Sequence, residues 1–235
     1  MLSLVRAIGL GSILVLAGCV ETTESSAPVP APSAQPVLSA SQAARNFTTV
    51  VAQVEPVAEA ECRRQIPNAN CNFLIQLDRD PKQPPNAFQS LQKNGRPVIT
   101  FTIALLREVH NADELAFIVG HEAAHHIEGH IPKQQQTAIA GATLAGMILS
   151  ASGASEETIR QAQRFGAAVG GRVYAQDMEL EADALGTRIA ALAGYDPVRG
   201  AEYFARIPDP GQTFIGTHPP NAKRQQVVRQ TAASL

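Results

Sequence analysis

His121-Glu122-Ala123-Ala124-His125 places two imidazoles four residues apart, with a carboxylate directly after the first. On a helix, side chains at that spacing rise from one face, so both rings can bind one divalent cation. Glu122 is turned about 100° from His121 and can reach a water at the cation without ligating it. Zinc lowers the pKa of such a water toward ~7, and Glu122 can then take its proton as general base. The plainer reading is a pair of satisfied surface histidines beside a solvated glutamate.

A zinc site of this kind needs a third ligand. A third histidine on an extended motif would require Gly at 128 and His at 131, where the chain has Glu128 and Ile131. The alternative is a glutamate from a later helix, and Glu179-Leu180-Glu181-Ala182-Asp183 offers one. Glu179 and Asp183 share a helix face, while Glu181 points elsewhere. Glu179 would ligate zinc, and Asp183 would orient His121 or His125 through the free ring nitrogen. Two carboxylates on a helix are often merely solvated. Flanked by Leu180, Ala182, Ala184 and Leu185, this pair instead reads as buried and partnered. His126 and His130 read as solvated helix-end residues, and His130 is not counted as a ligand.

The elements that must hold these groups follow from periodicity. Phe47, Val50, Val51, Val54, Val57 and Ala58 recur at helical spacing, predicting a helix over 41–62 with a kink at Pro56. Residues 71–77 and 98–102 read as strands, with a loop at 81–85 and a turn at Asn94-Gly95. Asn111 and Glu114 form a capping box that opens the helix carrying the two histidines. Helices are predicted over 133–150, over 156–192 in one or two pieces, and over 197–207 and 221–233. Strands early and helices late make an α+β fold, mostly helical. The apolar stretch 137–153 is too short for a comfortable membrane span. It reads as a helix packed near the cleft, with a partner groove or membrane-leaning lid as the lesser possibility.

The N-terminus reads as an address. Arg6, an apolar run over 7–16 and Leu16-Ala17-Gly18-Cys19 form a short secretory signal over residues 1–18. Leu-Ala-Gly-Cys resembles the bacterial lipobox, which implies lipid attachment at Cys19; Val20 after it suggests the outer membrane. Residues 19–38, rich in Pro, Ser and Ala, read as a tether, with the folded domain over 39–235. Cys62 and Cys71 remain, and in an oxidising periplasm they are expected to pair. A net charge of −2, 5% aromatics and no Trp argue against nucleic acid as a partner.

Several motifs in order, HEAAHHIEGH, ELEADALG, AGYDP at 193–197 and THPPNAKR at 217–224, resemble the zinc metallopeptidases of the CAAX-prenyl-protease and HtpX-like family. The match is to a small periplasmic lipoprotein branch. The resemblance implies a zincin-like fold with a small antiparallel sheet beside the active-site helix. It implies one Zn²⁺ per chain held by His121, His125 and Glu179, with Glu122 as base and Asp183 behind the ligands. It also implies that a strand beside the cleft, here Val98 to Thr102, pairs with extended substrate. His218 would stabilise an oxyanion, close the zinc shell as a fourth ligand, or simply enter a helix, and Arg224 would sit nearby. The implied activity is endopeptidase cleavage of unfolded or misassembled envelope proteins. A chaperone-like assembly factor at the outer membrane, with a latent site, is the alternative.

Overall fold

The computed structural model describes residues 38–173, 175–209 and 219–235. The signal, Cys19, the tether up to residue 37, and His218 lie outside them.

Helix α1, Ala40–Gln65, opens on a capping box: the Ser39 hydroxyl accepts from the Gln42 N–H, and the Gln42 side chain accepts from the Ser39 N–H. Val50, Val54, Ala58 and Cys62, four residues apart, form its buried stripe. The helix continues through Pro56, which lies on the exposed side. At its end Cys62 is disulfide-bonded to Cys71. Closing so short a loop stabilises the fold by about 2–3 kcal/mol.

Three strands follow: β1 (Leu74–Asp78), β2 (Ala87–Leu91) and β3 (Pro97–Thr102). Their order is β1-β3-β2, and β3 pairs parallel with β1 and antiparallel with β2. The sheet is therefore mixed, where an antiparallel one was expected. All six β3 residues are buried, as suits a central strand covered on both faces. β2 was not legible as a strand, because Gln89 and Ser90 break any apolar alternation along it. Gly95, at φ 78°, makes the turn between β2 and β3.

Thr102 caps the short α2 (Ile103–Glu108). Asn111 caps α3 (Ala112–Ile127), accepting from the Glu114 N–H at 3.0 Å. The Glu114 carboxylate accepts from the His110 N–H at 2.8 Å and from both Arg206 terminal nitrogens at 2.7 Å. That ion pair, buried on its Glu114 side only, fixes the start of α3 to the chain near residue 206. Residues 114–124 of α3 are buried all round, so this is the central helix.

Gly129, at φ 65°, turns the chain sharply into α4 (His130–Ala151). Helix α5 is Glu156–Val173 and α6 is Ala175–Leu192. Helices α4 and α5 pair as a hairpin whose contact faces carry Gly141, Gly166 and Gly170, where an added Cβ would strike the facing backbone. Apolar 137–153 is thus packed on one side only. Ile139, Leu144, Met147 and Ile148 face outward, because α5 covers α4 along its small-residue face alone. Among the described residues no helix is long and apolar enough to cross a membrane. The chain closes with α7 (Pro197–Gly200), a 3₁₀ turn (Ala201–Ala205) and α8 (Asn221–Ala232).

Candidate metal centre and cleft

Helices α3 and α6 meet at two glycines. A Cβ on Gly120 would lie 2.8 Å from the Gly186 carbonyl oxygen, and one on Gly186 would lie 2.7 Å from the His121 nitrogen. This close approach brings Glu179 on α6 up to both histidines of α3. His121 Nε2 is 3.0 Å from His125 Nε2, and Glu179 Oε2 and Oε1 are 3.5 and 3.4 Å from those two nitrogens. Zinc bonds of about 2.0–2.1 Å in a tetrahedron would separate donor atoms by about 3.3–3.4 Å. The nitrogen-nitrogen-oxygen set fits that cation.

The histidine supports differ. His121 Nδ1 donates to Asp183 Oδ1 at 2.9 Å. Asp183 is fully buried and accepts from Arg224 Nε at 2.8 Å and Nη2 at 2.7 Å. The Arg224 guanidinium lies over the Phe204 ring, 3.9 Å from its centroid, and its Nη2 is 3.5 Å from Glu179. Of the two histidines open to it, Asp183 holds His121. Arg224, expected only to be nearby, is the buried partner of that aspartate.

His125 Nδ1 instead meets His130 Nδ1 at 2.8 Å, and His130 Nε2 meets Glu181 Oε2 at 3.1 Å. His130 is 4% exposed. The expectation of a solvated helix-end histidine is corrected: the turn at Gly129 folds His130 back against His125. Glu181 does leave the Glu179–Asp183 face, but toward this second ring. His126 is half-buried, with Nε2 2.9 Å from the Asn70 carbonyl and its ring edge-on to Phe73.

Burial would discharge the His121 imidazole, but hydrogen bonds to Asp183 and Glu179 outweigh it and lift the pKa to about 10. Burial, and then the charge on His121, push His125 down to about 3. One positive charge is thus favoured where the two Nε2 atoms and Glu179 converge. A divalent cation satisfies the same electrostatic demand. Glu122 is raised to about 7 by burial first, with His121 lowering it and Glu179 raising it. A backbone hydrogen bond from Gln89 on β2 also reaches Glu122.

His121, Glu122, His125 and Glu179 line a cleft of about 670 Å³. Ala87, Phe88 and Gln89 of β2 line one wall, and Tyr203, Phe204 and Ile207 line the other. Because β3 is central, it has no free edge to offer a substrate. The edge strand at the cleft is β2, which corrects the assignment of that role to 98–102. Gly120, Gly186 and His130 carried no signal as site residues in the sequence. Glycine in mid-helix was the one available hint.

A mostly helical domain with an HExxH helix, a glutamate from a later helix and an edge strand along the cleft defines a metallopeptidase. Residues 44–232 match the family model described as Peptidase family M48, and the chain belongs to that family. It is a peptidase of a group that is typically zinc-dependent. No curated protein shows a significant match to the chain.

Proposed function

We propose that this peptidase is a zinc-dependent endopeptidase that cleaves unfolded or misassembled proteins of the bacterial envelope. In this reading it belongs to the HtpX-like lipoprotein branch, anchored to the outer membrane through lipid on Cys19 and working in the periplasm. The convergence of His121, His125 and Glu179 within 4.8 Å, beside Glu122 at the floor of an open cleft, carries the catalytic part. The location and substrate class rest on the signal-like N-terminus and the motif resemblance.

His121 and His125 through Nε2, and Glu179 through its carboxylate, would hold the metal; bound there, zinc supplies Lewis-acid polarisation and acidifies water. The residues do the rest. An extended substrate lies along the free edge of β2, adding a strand through main-chain hydrogen bonds. Gln89 lines this wall, its Oε1 buried and without a hydrogen-bond partner among the described residues. Phe88, 41% exposed, offers an apolar surface to substrate side chains. Glu122 takes the proton from the attacking water and returns it to the departing amine; a pKa near neutrality suits both transfers.

The test is cleavage of casein by the purified full-length chain in detergent, with and without chelator, beside Glu122→Gln. The variant is expected to keep zinc and lose roughly 10²–10⁴-fold in rate. Equal rates for the two proteins would sink the reading and favour a chaperone-like factor. Membrane fractionation of Cys19→Ala tests the anchor, since a protein that stays membrane-bound was not held by that lipid.

A further inference from the structure

Three groups from three helices are joined by successive contacts: His125 on α3, His130 at the start of α4 and Glu181 on α6. We propose that His130 is a positioning residue, relaying the Glu181 carboxylate to His125 so that its Nε2 is presented unprotonated to the metal. The proposal rests on the metal-site reading given above.

The argument is one of proton placement. For Nε2 of His125 to ligate, the ring proton must sit on Nδ1, which then donates across the 2.8 Å contact to His130 Nδ1. That nitrogen must accept, so the His130 proton sits on Nε2 and donates to Glu181 Oε2 at 3.1 Å. Every nitrogen is then satisfied. In the opposite arrangement His130 Nδ1 donates to His125, and the bare His130 Nε2 faces a carboxylate, lone pair against lone pair. The acceptor-only Glu181 therefore excludes the arrangement in which His125 cannot ligate. Lys133 Nζ lies 3.8 Å from the same Glu181 oxygen. The two ring planes are inclined at 75°, with centroids 4.9 Å apart.

A competing role for His130 is visible. Ligand atoms of Glu128, His130 and Glu181 also lie within 4.8 Å of one another and could hold a second cation. Both His130 nitrogens are already engaged, which favours the relay.

The experiment measures zinc stoichiometry and affinity by chelator competition on the full-length chain in detergent, with the absorption spectrum of the Co²⁺ form as a second readout. His130→Leu is expected to lose roughly 10- to 100-fold in zinc affinity, the usual cost of removing a partner behind a ligating histidine. His130→Asn keeps an acceptor near the Nδ1 position and is expected to recover most of that loss. Glu181→Gln, at a half-exposed position, is expected to weaken binding in the native background and to add nothing to His130→Leu. Full affinity and an unchanged Co²⁺ spectrum in His130→Leu or in Glu181→Gln would overturn the relay. Two zinc ions per chain, one lost in Glu128→Gln, would overturn it in favour of the second site. A native chain that binds no zinc would instead overturn the metal reading itself, and the relay with it.

Discussion

His121 and His125 stand one turn apart on α3 and face the same point, yet they are held in opposite ways. Behind His121 is a carboxylate in direct contact, itself clamped by two Arg224 nitrogens, with Asp183 fully buried and Arg224 7% exposed. Behind His125 is a second imidazole, and the carboxylate that ends that line, Glu181, is 52% exposed. One helix supplies both acids. On α6, Glu179 and Asp183 share the face toward α3 and α8, while Glu181 projects toward α4. The difference teaches where the energy lies. The His121 side is a buried ion pair that is costly to break, and the His125 side tapers into water and is cheap to alter.

The largest effect should come from splitting the buried pair. Arg224→Ala strands the Asp183 charge and is expected to cost about 3–5 kcal/mol in urea unfolding of the zinc-loaded protein. A loss under about 1 kcal/mol would mean that the two sides are equivalent. Gly186→Ala puts a Cβ 2.7 Å from the His121 backbone nitrogen, so α3 and α6 must part. About 1–3 kcal/mol is expected, as for overpacking elsewhere. Zinc affinity should fall with it, since Glu179 moves away with α6; unchanged affinity would show that the glycine contact does not set the ligand geometry.

Acid should separate the two sides in the chelator-treated protein. Burial first, and then neighbouring positive charge, hold His125 at about 3, and burial holds His130 below its ordinary 6.5. The unfolded chain therefore takes up these protons first, so this stability is whole above 6.5 and is lost as the pH falls below it. Asp183, where Arg224 and His121 outweigh the effect of burial, lies below its ordinary 3.8. Its contribution persists above 3.8 and is lost only as the pH falls through its lower folded value. In Glu122→Gln, which removes the opposing gain from a carboxyl raised to about 7, melting temperatures from pH 8 to pH 3 should begin to decline below 6.5; a flat profile from 6.5 to 5 would contradict the contrast. The smallest effect is expected for Glu181→Gln, about 0–1 kcal/mol in stability, because the Glu181 carboxylate itself sits half in water. A larger loss would mean that the His125 side is as rigid as the other.

Local spacing was enough to mark the HExxH pair, the Glu179–Asp183 face, the Asn111 cap and the helix under Val50 and Val54. Each depends on neighbours within about one or two turns, and helix geometry alone brings such neighbours together. The Cys62–Cys71 bond was legible for a related reason, because so few residues separate the two. Only the tertiary structure decided which histidine Asp183 takes, that Arg224 is its buried partner, and that β2 rather than β3 lines the cleft. It also decided that β1 runs parallel to β3 and that His130 is buried. These depend on how closely α3 and α6 approach at Gly120 and Gly186, on the turn at Gly129, and on which strand is left at the edge. Such outcomes arise from packing between segments far apart in the chain, and no periodicity within one segment encodes them.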